Sequence, residues 1–157
     1  MSASPSQNAP PGERFRFVLP GRLEYRDAAR AFLTYLCERL TARGILTTDV
    51  SHRVISAFVE AFNNAVIHAY RDMEPGMVEV EMDVDVQQLE VRITDRGRSF
   101  RPELVPEPDL DALPEGGLGL FIIRNFMDRV GYERRGDANV LTMAKDLGAK
   151  ANAGPRE

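Results

Sequence analysis

The chain of 157 residues has a single cysteine, Cys37, only two histidines, no net positive charge and no apolar run long enough to cross a bilayer. Each shortage excludes something. One cysteine cannot form an internal disulfide, and Cys37 falls among the apolar residues of an apparent helix, where a small core side chain is the ordinary reading. His52 and His68 have no H-x-x-x-H spacing and there is no C-x-x-C pair, so no zinc site is expected. Twenty basic residues against 24 acidic ones give a formal charge of -4, so there is no domain-wide positive field and nucleic acid is not expected as a partner. Without a leading apolar segment of the signal-peptide kind, the default expectation is a cytoplasmic protein with no membrane association. The absence of G-x-S-x-G argues against a hydrolase elbow, and the absence of G-x-x-x-x-G-K-[ST] and G-x-G-x-x-G disfavours the P-loop and Rossmann classes. There is no internal repeat or heptad series.

What is present suits one globular domain. Hydrophobic residues make up 43% and charged residues 28%, and the length leaves no room for a second folded unit. The composition predicts flexible tails over residues 1–13, rich in Ser, Pro and Gly, and 148–157, small and polar, around a domain spanning 14–147. Phe15, Phe17 and Leu19 alternate with Arg14, Arg16 and Val18 as a short strand does. Ala29, Phe32, Leu33, Leu36 and Leu40 recur at helical spacing between Leu23 and Ala42. A second helix is predicted from the capping residues Thr47, Thr48 and Asp49 to about Tyr70, with an apolar stripe of Val54, Ala57, Phe58, Ala61 and Ala65. Val78, Val80, Met82 and Val84 alternate strictly with acidic residues, and Leu89, Val91 and Ile93 repeat the pattern after Gln87 and Gln88, which predicts an antiparallel hairpin. Arg98 to Glu115 reads as a Pro-rich loop, Leu118 to Asp128 as a helix, and two short strands follow around Gly136 to Asn139. The fold class expected is α+β, a two-layer sandwich in which helices cover one face of a mainly antiparallel sheet.

Three segments carry chemistry. Glu60, Asn64 and His68 follow one another at i, i+4 and share one helix face, with Asn63 alongside and an apolar stripe beside them. Polar groups so close to a buried face need partners, and a ligand can supply them. Thr94, Asp95, Arg96 and Gly97 place a carboxylate at a strand end. Asp-x-Gly alone is an ordinary turn, but the carboxylate can also accept from an exocyclic amine such as that of adenine, with Gly97 removing a side chain that would block the ring. Gly116, Gly117, Leu118, Gly119 and Leu120 lead into a helix with main-chain N–H groups free of obstruction, which suits phosphates; the plain alternative is a flexible linker. His68 is read as a packing or hydrogen-bonding residue.

The order E-A-F-N-N-A-V-I-H-A (60–69), T-D-R-G (94–97) and E-G-G-L-G-L-F-I-I (115–123) resembles the GHKL superfamily of histidine kinase-like ATPases. Within it, E-G-G-L-G-L followed by N-F-M-D looks like the bacterial anti-sigma-factor serine/threonine kinases, over roughly Phe15 to Leu147. The resemblance implies a Bergerat-type pocket holding ATP with Mg²⁺. Glu60 is then the proton acceptor for an attacking hydroxyl and Asn64 the Mg²⁺ ligand. Asp95 reads adenine, Gly97 admits it, Gly117 to Leu120 meet phosphates, and residues 98–115 form a lid. Ala138, Asn139 and Val140 stand where the family usually has Gly-Thr-Thr, so Asn139 is expected in place of a threonine hydroxyl. The implied partners are a small STAS-type anti-sigma-factor antagonist, a sigma factor and a second copy of the chain. A non-catalytic, nucleotide-sensitive binding regulator is the alternative function; a two-component histidine kinase domain fits less well, as no dimerisation helix pair or phosphoacceptor segment precedes it.

Overall fold

The computed structural model describes residues 12–99, 104, 111 and 118–148. Most of both expected tails, Gly116, Gly117 and nearly all of the expected lid lie outside the described residues; within the lid Arg98, Ser99, Leu104 and Asp111 are exposed. Strand β1 spans Glu13–Pro20, one residue more than the predicted domain start, and a short 3-10 turn at Leu23–Tyr25 leads into helix α1, Arg26–Ala42. Helix α2 runs Thr48–Asn64 and continues as a π-helical turn, Ala65–Ala69. Strands β2 (Met77–Val84) and β3 (Gln88–Asp95), helix α3 (Leu118–Phe126) and strands β4 (Arg129–Arg135) and β5 (Ala138–Asp146) complete the described elements.

The five strands form one sheet in the order β1-β2-β3-β5-β4, every neighbouring pair antiparallel. The alternation in β2 and β3 does what a period of two requires. Val78, Val80, Met82, Val84, Leu89, Val91 and Ile93 all turn to the helices and are buried. The opposite face is a ladder of charges: Arg14 bonds Asp83, Arg16 bonds Glu79, and Arg92 reaches Asp83, Glu81 and Glu90.

Against the apolar face lie α1, through Ala29, Leu33, Leu36, Cys37 and Leu40, and α2, through Val54, Ala57, Phe58, Ala61 and Phe62. Thr47 caps α2, its Oγ1 accepting from the Val50 N–H at 3.2 Å. Burial pushes the Cys37 thiol up to about 11, which agrees with its reading as a core residue. Phe32, expected in the core stripe, is instead 52% exposed and rests on Phe17 of the edge strand with ring centroids 4.7 Å apart. Among the described residues no helix is long and apolar enough to cross a membrane.

Phe58 ties the two layers together. It is fully buried, meets Phe17 of β1 edge-on at 6.3 Å between centroids and lies 6.1 Å from Phe62. Phe58→Ala leaves a void between helix and sheet and is expected to cost about 3–5 kcal/mol, read as a lowered urea midpoint with an unchanged slope.

Candidate functional site

The helical face predicted to carry Glu60 and Asn64 is formed, and both side chains are part-exposed near the end of α2. The predicted helix to Tyr70 differs in one respect: its last turn widens into the π form at Ala65–Ala69. Such a turn adds a residue per loop of backbone and releases carbonyls from the regular ladder, and it recurs at functional sites. Here the Ala69 carbonyl accepts from the Arg98 N–H at 2.7 Å, joining the end of α2 to the chain just after β3. Tyr70 adds a second tie. Its hydroxyl accepts from the Arg96 N–H at 3.1 Å and donates to the Met77 carbonyl at 2.9 Å.

Gly97 occupies this junction. A Cβ there would stand 2.2 Å from the Ala69 oxygen and 2.4 Å from its carbonyl carbon, backbone atoms that have no freedom to retreat. The missing side chain thus makes room for the Ala69 main chain, whereas the sequence suggested room for a ligand ring. Gly97 is buried and is not among the residues lining the cavity.

A cavity of about 260 Å³ opens between the end of α2, α3 and the sheet, just under the roughly 300 Å³ at which small-molecule pockets begin. Ala61, Ala65, Ala69, Ile93, Leu120 and Leu141 give it apolar walls. Asn64 and Asp95 are the predicted polar residues that line it. Glu60 stands just outside, beside the first turn of α3: a Cβ on Gly119 would lie 2.8 Å from Glu60 Oε2, so only a glycine leaves the carboxylate its present place. Leu118 is exposed. Asn63 does not line the cavity, and its Oδ1 is a buried acceptor without a partner. His68, read as a packing or bonding residue, is exposed and also off the cavity. Arg124, Met127, Asp128, Val130 and Tyr132 line it without having been foreseen. The helix predicted to run to Asp128 ends at Phe126, so spacing could have found only Arg124, one turn after Leu120; Met127 and Asp128 reach the cavity from the connection into β4.

Asp95 is the site's buried charge, 5% exposed at the end of β3. One oxygen, Oδ1, accepts from the Gly97 N–H at 2.9 Å and from Asn139 Nδ2 at 2.7 Å. Burial raises the carboxyl above its ordinary value of 3.8; the bonds from Asn139 and Gly97 and the nearby Arg134 charge pull the other way without cancelling it. A raised native value means that the contribution of Asp95 to stability is greatest below the unfolded value and is lost as pH climbs through the folded one. At neutral pH the ionised carboxylate is therefore held at a cost to the fold. Asp95→Asn keeps an oxygen for both donors and removes the charge, so its thermal midpoint at pH 7 is expected to equal or exceed that of the parent, with the difference vanishing towards pH 3. A midpoint lower at pH 7 than at acid pH relative to the parent would refute this account of Asp95.

Residues 19–145 match the model of a family described as the histidine kinase-like ATPase domain. The serine-protein kinase RsbW of Oceanobacillus iheyensis is 34% identical over 120 residues, covering 71% of this chain and 73% of that protein. The serine-protein kinase RsbW of Bacillus subtilis is 32% identical over 130 residues, covering 78% and 79%. Among solved structures, the RsbU and RsbW domains of a Mycobacterium tuberculosis protein superpose with a TM-score of 0.59 at 16% identity, covering 85% of this chain and 32% of that one. The histidine kinase domain of a blue-light-activated kinase from Erythrobacter litoralis gives a TM-score of 0.51 at 20% identity, over 76% of this chain and 61% of that one. At those identities the two structures speak to the fold, which is the α+β sandwich the sequence predicts.

Proposed function

The chain belongs to the histidine kinase-like ATPase family, and from that membership and the cavity beside Glu60 we propose an ATP-dependent serine/threonine protein kinase that acts as an anti-sigma factor. In this reading it phosphorylates a small STAS-type antagonist and, in the alternative complex, sequesters a sigma factor. The observation that carries it is the pairing of two groups on one helix face: Asn64 lining the cavity, and Glu60 one turn earlier against the start of α3.

Adenine fits the apolar part of the cavity, its exocyclic amine donating to Asp95. The phosphates extend towards the start of α3, where the N–H groups of Leu118, Gly119 and Leu120 receive them; Gly116 and Gly117, expected in the same role, lie outside the described residues. The carboxamide oxygen of Asn64, which lines the cavity, would be the protein ligand of a Mg²⁺ ion, a cation that keeps several waters and takes much of its coordination from phosphate oxygens. When bound, the ion neutralises charge on the β- and γ-phosphate oxygens. Glu60 accepts the proton of the serine or threonine hydroxyl as that oxygen bonds to the γ-phosphorus and the bond to the bridging oxygen breaks, leaving ADP and a phosphoprotein. Pairing of two copies belongs to the same proposal. Phe32, 52% exposed against Phe17 of the edge strand β1, and Tyr35, 60% exposed further along α1, offer aromatic surface.

Mass spectrometry of the antagonist after incubation with the protein and Mg-ATP is the direct test. Glu60→Ala is expected to abolish transfer while the Kd for ATP, read by calorimetry, changes little; Asn64→Ala is expected to weaken both. Gly119→Ala pushes a methyl group at Glu60 Oε2 and is expected to slow transfer roughly ten- to a hundredfold, since a misplacement of about 1 Å has that effect. A protein that binds ATP and antagonist yet yields no phosphoprotein would end the catalytic reading and leave a nucleotide-sensitive binding regulator.

A further inference from the structure

The unusual residue on the last strand has a definite task. Asn139 lies opposite Asp95 in the β3–β5 register, and its side chain is fully buried. A buried carboxamide is costly unless its donors and acceptor are satisfied, and here they are all engaged within the protein. Nδ2 donates to Asp95 Oδ1 at 2.7 Å, to the Gly97 carbonyl at 3.1 Å and to the Arg98 carbonyl at 3.1 Å. Two N–H bonds thus serve three oxygens, and the opposite rotation of the amide would set its carbonyl against all three. Its Oδ1 accepts from an Arg134 guanidinium nitrogen at 2.8 Å. Arg134 reaches inward from β4, where it stands opposite Asn139, and the same nitrogen also donates to the Gly97 carbonyl at 3.0 Å. A second nitrogen donates to the Gly136 carbonyl in the turn between the strands, at 3.1 Å.

Asn139 therefore has no free donor with which to touch a ligand, and it is not among the residues lining the cavity. What it touches is the residue that does line it. Asp95 Oδ1 is fixed by Asn139 from one side and by the Gly97 N–H from the other. Among the described residues no donor is placed on Oδ2. We propose that Asn139 and Arg134 are positioning residues that fix the rotation of the Asp95 carboxylate, and so make the site selective for a purine bearing a 6-amino group. Arg134 orients Asn139, Asn139 holds Oδ1, and Oδ2 is the acceptor aimed at the base. This proposal rests on the reading of the site as an adenine pocket.

The test compares ATP with purine riboside triphosphate, which lacks only the 6-amino group, by calorimetric titration of the full chain and of Asn139→Ala and Arg134→Met. The parent is expected to favour ATP by at least about tenfold, the value of one charge-assisted hydrogen bond. Both variants are expected to bring the ratio of the two Kd values towards one, Asn139→Ala more fully, mainly by weakening ATP. A general structural role would weaken both nucleotides alike and leave the ratio intact, and that result would overturn the proposal. Arg134 is exposed, so its variant keeps the test decisive even where loss of the buried Asn139 prevents folding. If the parent binds neither nucleotide, or binds both equally, the adenine reading itself falls and the positioning role falls with it. If the parent discriminates and both folded variants discriminate equally well, only the positioning role is lost.

Discussion

The contact on which the site depends is main chain against main chain, where the Ala69 carbonyl meets Gly97 and the Arg98 N–H. The last carbonyls of a helix have no partner within it, and leaving one unpaired in a buried place is costly; the Ala69 carbonyl, at the end of the π turn, finds its partner outside the helix. The bond to Arg98 closes at 2.7 Å only because Gly97 has no Cβ to stand in the way. Tyr70, the next residue, secures the same segment through Arg96. The end of α2 and the end of β3 are thereby locked together, and the cavity floor is what lies between them: Ala65 and Ala69 on one side, Ile93 and Asp95 on the other.

The two faces of the sheet treat charge in opposite ways. On the outer face Arg14, Arg16 and Arg92 pair with four acidic residues in partly or largely exposed positions, where water and salt screen each pair and each contributes little. On the inner face a single carboxylate is kept 5% exposed with a neutral amide and one backbone N–H as direct donors and a guanidinium one residue further off. The fold needs an acceptor there for the Gly97 N–H and Asn139, but a neutral oxygen would serve both donors without the cost of burying a charge. A chain that keeps Asp95, and builds Asn139 and Arg134 around it, is retaining a charge for something other than its own fold.

How much of this could be read from the chain depended on whether the signal was periodic. The alternation of β2 and β3 and the stripe of α2 express burial directly, and they placed the sheet, the helices and the Glu60–Asn64 face. Phe32 broke the helical pattern because α1 extends beside an edge strand, where an aromatic ring can lie against Phe17 and still meet water. The π turn was hidden because A-V-I-H-A suits an ordinary helix equally well, and the partner of its last carbonyl, Arg98, lies nearly thirty residues away. Asn139 was marked as a departure from a pattern, but its partners are set by a strand register that no local spacing reveals. For the same reason Val130 and Tyr132 of β4 were missed: they reach the cavity only because β4 pairs with β5, opposite Leu141 and Met143.

The proposed division between base and phosphate corresponds to how the elements are joined. Glu60 and Asn64 share one helix, and four residues of rise hold them about 6 Å apart along its axis whatever the sheet does. Asp95 is referred to the same helix through the Ala69–Gly97 junction, across the π turn of 5 residues that follows Asn64. In the proposed reading, selection of the base and transfer of the phosphate are built on a single rod, α2, whose far end is joined to the sheet at Gly97 and whose Glu60 faces α3. Glu60 faces the first turn of α3 at Gly119, where the missing Cβ leaves room for its carboxylate, whereas the far end of the helix is tied to the sheet by the Ala69–Arg98 main-chain bond.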